Sequence, residues 1–223
     1  MTARFKEANT GKFGQKIADA TVGRLSRYYR TLKQMESLGI TTVSSEELAK
    51  KNNVTSAQVR KDFSFFGAFG RRGLGYNVRD LKHNIAKILG LDQEWHLVLV
   101  GVGNIGRALL NFRQFQDQNF YFTLLLDSDP RKIGSRFNTL EVKNLDNLAA
   151  EIQKAHVDIA VLAVPAEAAQ KVAEQLVDAG IKCILNFAPI SLHVPSDVTV
   201  RNENMVIEIE HLSFDLTQRM TKA

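Results

Sequence analysis

Gly101-Val102-Gly103-Asn104-Ile105-Gly106 and, further on, Asp127 are the residues whose types and spacing can do chemistry here. Gly-x-Gly-x-x-Gly means little by itself. It gains meaning between a strand and a helix. The apolar run Leu97 to Val100 precedes it and Ala108-Leu109-Leu110 opens a helix after it. In that setting Gly101 permits a tight turn, Gly103 lets a pyrophosphate approach the backbone, and Gly106 lets helix and strand pack closely. A second strand, Phe120 to Leu126, ends in Asp127, about twenty residues beyond the last glycine, where a carboxylate takes a ribose 2′-hydroxyl. These positions predict a dinucleotide site. Arg131, Lys132 and Arg136 follow and suit a 2′-phosphate, but Asp127 would repel one, so NAD(H) is expected over NADP(H). A chance glycine cluster at a βα turn is the competing reading. Strand, helix and acid all in register count against it.

A second group of residues has the chemistry of nucleic-acid contact. Ser44-Ser-Glu-Glu47 is a capping box opening a short helix, Glu46 to Lys51, and Asn52-Asn53-Val54 is a turn. Thr55-Ser-Ala-Gln58 is a second box, opening a helix that runs to Phe66. Val59, Phe63 and Phe66 recur at helical spacing as its buried stripe, which leaves Ser56, Gln58, Arg60, Lys61 and Ser64 facing out. Two short helices and a tight turn describe a helix-turn-helix. Arginine suits guanine and phosphate, and glutamine suits adenine. The four glycines between Gly67 and Tyr76 forbid a helix and predict a β-hairpin wing with Arg71 and Arg72 at its tip. Such a tip fits a narrow A·T-rich minor groove or a phosphate. A small helical bundle with an incidental basic face is the alternative.

Other elements must position these residues. From about Ala20 a helix carries Leu25, Tyr29, Leu32 and Met35 on one stripe, with Arg24, Arg27 and Arg30 on its other face and Gly39 as its stop. Asn77 caps a helix with Val78, Leu81, Ile85 and Ile88 in period, and Leu91 to Glu94 is a linker. Beyond Asp127 come a helix (Leu145 to Ala155), a strand (Val157 to Ala163), a helix (Ala166 to Ala179) and two strands (Cys183 to Phe187, Val198 to Arg201). That alternation is a doubly wound parallel sheet, and Val164-Pro165 falls at its carboxyl edge, where ligands bind. From Asn204, the residues Met205, Ile209, Leu212, Leu216 and Met220 form an amphipathic helix with no later element to cover it, read as a dimer element. The fold class is therefore α/β. It comprises a flexible basic tail over 1–19, a winged helix-turn-helix domain over 20–90, a Rossmann-type domain over 95–203 and a dimerisation helix over 204–223.

Charge divides the same way. Residues 1–90 hold 17 Lys and Arg against 7 Asp and Glu, a net of +10, whereas the remainder holds 12 against 17, a net of −5. A polyanion partner is expected for the first half alone. No apolar run approaches the roughly 20 residues of a membrane span, and a single cysteine, Cys183, fits a reducing cytoplasm. His156, His193 and His211 form no recognisable catalytic constellation, and no His/Cys pair has metal-ligand spacing, so neither catalytic nor metal-binding residues are expected.

Taken together, Arg24-Leu-Ser-Arg-Tyr-Tyr29, Ser44-Ser-Glu-Glu-Leu-Ala49, Ser56-Ala-Gln-Val-Arg-Lys-Asp62, Arg72-Gly-Leu-Gly-Tyr76, the glycine motif, Ala163-Val-Pro-Ala-Glu-Ala-Ala-Gln170 and Leu185-Asn-Phe-Ala-Pro189 resemble the Rex redox-sensing repressors of bacteria. The resemblance runs from about Ala20 to Leu216. It implies a homodimer on an inverted-repeat DNA operator, with NAD(H) as a regulatory ligand rather than a redox substrate. In that family NADH releases DNA, NAD+ permits binding, and the C-terminal helix is exchanged between protomers. Carried over to this sequence, Arg60 and Lys61 look like recognition-helix contacts, Arg71, Arg72 and Tyr76 fall in the wing, and Ala163, Val164 and Pro165 look like a wall near the cofactor. This chain also departs from the family. Ser26 stands where a proline is common, Phe112 where a tyrosine is, and Asn204 where an aspartate is. Phe112 and Asn204 belong to the nucleotide-sensing region, and no tyrosine–aspartate hydrogen bond can form between them, so an altered NADH/NAD+ discrimination is expected. An NAD-dependent dehydrogenase and a nucleotide-insensitive DNA-binding protein of the same fold remain as alternatives, because the glycine motif is blind to how its ligand is used.

Overall fold

The computed structural model describes residues 17–67, 69–70 and 74–221. Most of the basic tail and the wing tip with Arg71 and Arg72 thus lie outside the described residues. The chain divides into two compact units, one ending at Gln93 and the other starting at Glu94. Among the described residues no helix is long and apolar enough to cross a membrane.

The first unit runs α1 (Asp19–Ser37), β1 (Thr42–Val43), α2 (Ser45–Lys51), α3 (Ser56–Ser64), β2 (Tyr76–Asn77) and α4 (Val78–Ile88). Local chemistry sets the helix starts. Ser44 and Glu47 make a full capping box, whereas the expected second box is half made, since Thr55 accepts from the Gln58 N–H but the Gln58 side chain turns to Asp62; Asn77 accepts from the Asp80 N–H. The core packs Leu25, Tyr28, Leu32, Leu48, Val59, Phe63, Leu81 and Ile85. Within it the Phe63 ring meets Tyr28, Phe69 and Tyr76 edge-on at centroid distances of 5.3–5.6 Å.

One expectation changes here. The buried tyrosine of α1 is Tyr28, not Tyr29, which is only half-buried, because the Tyr28 hydroxyl finds a partner inside the core. In the glycine-rich stretch, the described strand Tyr76–Asn77 pairs antiparallel with Thr42–Val43, between α1 and α2. Gly75 is in the left-handed region at φ +75°, and a Cβ on it would lie 2.6 Å from the Val43 carbonyl oxygen. Only glycine lets these two segments approach so closely.

The second unit runs β3 (Trp95–Val100), α5 (Asn104–Leu110), β4 (Phe120–Asp127), β5 (Arg136–Phe137), β6 (Leu140–Asn144), α6 (Leu148–Ala155), β7 (Ile159–Leu162), α7 (Ala166–Asp178), β8 (Cys183–Asn186), β9 (Thr199–Asn202) and α8 (Met205–Thr221). Its sheet has the order β5-β6-β4-β3-β7-β8-β9, and every neighbouring pair is parallel except β5 with β6. Leaving aside β5, this is the 3-2-1-4-5-6 strand order of a dinucleotide-binding sheet. β3 is central and reverses the winding, with β4 on one side and β7 on the other. Its residues Leu97 to Val100 are buried on both faces, as a central parallel strand requires. Unlike α1 to α7, α8 buries none of its residues, and its apolar side chains, from Met205 to Met220, are 46–80% exposed.

Candidate functional site

At the carboxyl ends of β3, β4, β7 and β8 lies a cleft of about 580 Å³. Its lining includes Gly101, Gly103, Asn104, Ile105, Asp127, Ala163, Val164 and Pro165. The fold thus gathers eight of the ten expected ligand-binding residues around one space. The other two act from beneath. Val102 is buried and offers its N–H to Asp127 at 2.7 Å, while Gly106 packs under the loop.

The glycine roles separate cleanly. Gly101 has φ +96°, and a Cβ there would stand 2.4 Å from the Ala163 carbonyl oxygen. A Cβ on Gly106 would stand 2.2 Å from the Gly101 carbonyl oxygen. Both positions therefore exclude any side chain because backbone meets backbone. Around Gly103 nothing lies within 4 Å of where a Cβ would be, so open space faces the backbone where a pyrophosphate is expected. No side chain caps α5, which leaves its first N–H groups open to an anion.

Asp127 has a denser setting than its position in the sequence indicates. Its carboxylate accepts from the N–H groups of Val102 and Asp129 at 2.7 and 2.8 Å and from Lys132 Nζ at 2.9 Å. Burial acts to raise its pKa. The hydrogen bonds from Asp129, Lys132 and Val102 outweigh that, and the group stays below the ordinary carboxylate value. Next to it Arg131 grips Asp129 through two nitrogens at 2.9 and 3.0 Å and lowers that carboxyl too. Lys132 and Arg131 are thus matched by carboxylates, so neither is an uncommitted cation for a 2′-phosphate.

The opposite wall carries residues that sequence reasoning left out of the site. Phe187 and Pro189 line the cleft, and the buried Asn186 shapes their loop. Its side chain donates to the carbonyls of Ala188 and Ile190 and to Asn202 Oδ1, and it accepts from the Ala188 N–H. An apolar-flanked Asn at a strand end is the one signal that marked it. Phe112 does not line this cleft. It is half exposed, edge-on to Phe115 at 5.7 Å, beside a smaller depression with Phe122 and Phe137. Asn204 caps α8, accepting from the Val206 N–H at 3.0 Å.

On α3, the helix expected to reach DNA, Arg60, Lys61 and Ser64 are exposed, whereas Ser56 and Gln58 are half-buried. Arg60 donates to Ser45 Oγ of α2 at 2.9 Å. Below this face lies a network the sequence reading missed. Asp62 is fully buried, yet it accepts both Arg24 Nε and Nη2 at 2.6 Å, the Tyr28 hydroxyl at 2.9 Å and Gln58 Nε2 at 2.9 Å. Arg24 is therefore a partner of the core rather than one of three surface arginines. Burial acts to raise the Asp62 pKa, but the hydrogen bonds from Arg24, Gln58 and Tyr28 hold it below its usual value. Tyr76 packs its ring on Phe63. Among the described residues no cluster of three His, Cys, Asp or Glu side chains is placed to hold a metal.

Residues 92–190 match the family model of the "CoA binding domain", and residues 16–64 match that of "Putative DNA-binding protein N-terminus". The chain is 48% identical to the redox-sensing transcriptional repressor Rex of Desulforamulus reducens, over 90% of this chain and 96% of that one. It is 47% identical to Rex of Pelotomaculum thermopropionicum, over 93% of this chain and 98% of that one. Its structure is similar to the crystal structure of RSP in complex with beta-NAD+ and operator DNA, with a TM-score of 0.89, 36% identity and coverage of 93% and 95% of the two chains. It is also similar to RSP in complex with beta-NADH, with a TM-score of 0.84, 35% identity and coverage of 92% and 96%. With identity near one half along almost its whole length, the chain belongs to the Rex family of redox-sensing transcriptional repressors.

Proposed function

We propose that this chain binds an inverted-repeat operator as a homodimer and leaves it when NADH occupies the cleft of the second unit. One observation carries the reading furthest. The cleft at the sheet's switch point combines an open glycine backbone, a ribose-matching carboxylate and an apolar wall within one chain that also carries a basic helix-turn-helix. Loop residues 101–106 would hold the pyrophosphate and Asp127 the adenosine ribose. The nicotinamide, which supplies the redox signal as one positive charge gained or lost, would face Ala163, Val164 and Pro165. An apolar wall disfavours the cation, which gives the reduced form an advantage. NADH can shift DNA affinity only by its differential affinity for the two placements of the DNA-binding units.

The exposed apolar residues of α8 support a second copy of the chain as its cover, which supplies the two-fold axis a palindrome needs. Phe112 and Asn204 remain the proposed sensing positions, with weakened discrimination; an NADH response unchanged in the Phe112→Tyr, Asn204→Asp double variant would contradict this. A cytoplasmic location fits a DNA-binding regulator with one cysteine.

Arg60→Ala is expected to weaken operator binding by about tenfold or more with NADH affinity unchanged, read by anisotropy and by nucleotide fluorescence. A loss of NADH binding in that variant would contradict the separation of roles. Asp127→Asn is expected to lower NAD(H) affinity by about tenfold or more and to narrow the gap to NADP(H), because a charge-assisted bond is lost and a repulsion removed. Titration with both reduced cofactors checks this, and an unchanged ratio would remove Asp127 from the ribose site.

A further inference from the structure

Gln58 lies in the first turn of α3, the part of a recognition helix that reaches base edges. Its carboxamide has one committed side. Nε2 donates to Asp62 Oδ1 at 2.9 Å, while Oε1 accepts nothing among the described residues. The orientation of an amide is normally ambiguous, because nitrogen and oxygen exchange places easily. Here the partner removes the ambiguity. Asp62 is buried and ionised, doubly bonded by the Arg24 guanidinium and by the Tyr28 hydroxyl, and a carboxylate can only accept. An amide oxygen turned toward it would meet two full or partial negative charges at hydrogen-bond distance. The nitrogen therefore faces Asp62, and the oxygen is the end left for another partner.

We propose that Asp62 is a positioning residue that fixes the Gln58 amide, and that Gln58 reads one base of each half-site through Oε1 as an acceptor. The inference rests on the DNA-binding reading above and specifies what that site recognises. An acceptor in the major groove selects a base whose edge carries an exocyclic amine, which is adenine (N6) or cytosine (N4), over guanine and thymine, which present carbonyl oxygens there. The glutamine is thus a discriminator between amine and carbonyl edges, and its setting is dictated two layers away, by Arg24 on α1.

The test selects bound sequences from a library of inverted repeats with randomised half-sites, using the full-length protein at fixed salt without NADH. The wild type is expected to show one half-site position where adenine or cytosine is preferred by about two- to twelvefold, as one net hydrogen bond allows. Gln58→Leu is expected to flatten that position and leave the others intact. Asp62→Asn replaces one of the two oxygens that face Arg24 with an amide nitrogen, so the site no longer forces the Gln58 nitrogen inward, and the preference for adenine or cytosine over guanine and thymine is expected to weaken. A Gln58→Leu variant whose losses spread evenly over all positions, or whose profile is unchanged, would overturn the reading role. A folded Asp62→Asn variant that keeps the adenine or cytosine preference at full strength would overturn the positioning role. A wild-type protein that enriches no sequence at all would instead overturn the DNA-binding reading itself.

Discussion

Asp62→Ala is expected to destabilise the first unit by about 3–5 kcal/mol, the cost of stranding a charge whose buried partner has been removed. The side chain is wholly inaccessible, Arg24 is only 17% exposed, and Tyr28 is fully buried, so water can replace little of what is lost. For a domain of this size the thermal midpoint should fall by roughly 12 °C or more. Calorimetry, with the second unit as internal reference, reads this directly. The sign of the pH dependence follows from the same geometry. The folded pKa of Asp62 lies below its ordinary value, so its contribution is present above the unfolded carboxylate pKa and is lost as pH falls through the lower, folded one. A wild-type unit whose acid unfolding profile matched that of Asp62→Asn would show that the network adds nothing.

Gly106→Ala is expected to destabilise the second unit less but to distort its glycine loop. The new methyl group would lie 2.2 Å from the Gly101 carbonyl oxygen and 3.1 Å from Leu99 Cδ2. Leu99 can turn, but the carbonyl belongs to the glycine loop itself, so relief must come from moving that loop or α5. Overpacking of this kind costs about 1–3 kcal/mol. The displaced backbone is also the surface proposed to hold the pyrophosphate. NADH affinity should therefore fall by more than about a hundredfold, by analogy with other losses of close positioning. Operator binding without nucleotide should persist, because the first unit keeps its own core. Fluorescence titration with NADH checks the result, and affinity within threefold of wild type would contradict the close packing on which the loop's shape depends.

Sequence and structure agree where short-range chemistry determines the outcome. Ser44 with Glu47, Thr55 and Asn77 are capping residues read from spacing alone, and each starts a helix in the structure. The apolar runs of β3, β4, β7 and β8 identify central strands because both of their faces are covered. β6 was missed for the opposite reason. Leu140-Glu-Val-Lys-Asn144 lies near the sheet's margin, only Val142 is buried, and charged neighbours interrupt the run. The tip of the expected hairpin lies outside the described residues, and the pairing of Tyr76–Asn77 with Thr42–Val43 left no sequence signal because a two-residue strand is too short to make a pattern.

The site was legible to the same depth. Spacing placed the glycine loop and Asp127 around one cleft, because motif and strand order share a physical cause. Phe187 and Pro189 joined it from beyond the end of β8, far along the chain, which no local pattern encodes, whereas Lys132, read as a phosphate partner, instead holds the Asp127 carboxylate five residues away. Most instructive is Gln58, whose position on α3 was read from helical periodicity as outward-facing. Its amide is held by Asp62, four residues on, which is itself held by Arg24, 38 residues away. A buried carboxylate on a recognition helix has no sequence signature until its cation is found.

The most direct measurement is the fluorescence anisotropy of a labelled inverted-repeat operator with the full-length protein at fixed salt, titrated with NADH and separately with NAD+. Release by NADH, with little or no release at matching NAD+, is the predicted result. Operator binding that ignores both nucleotides, while NADH still occupies the cleft by fluorescence, would contradict the account.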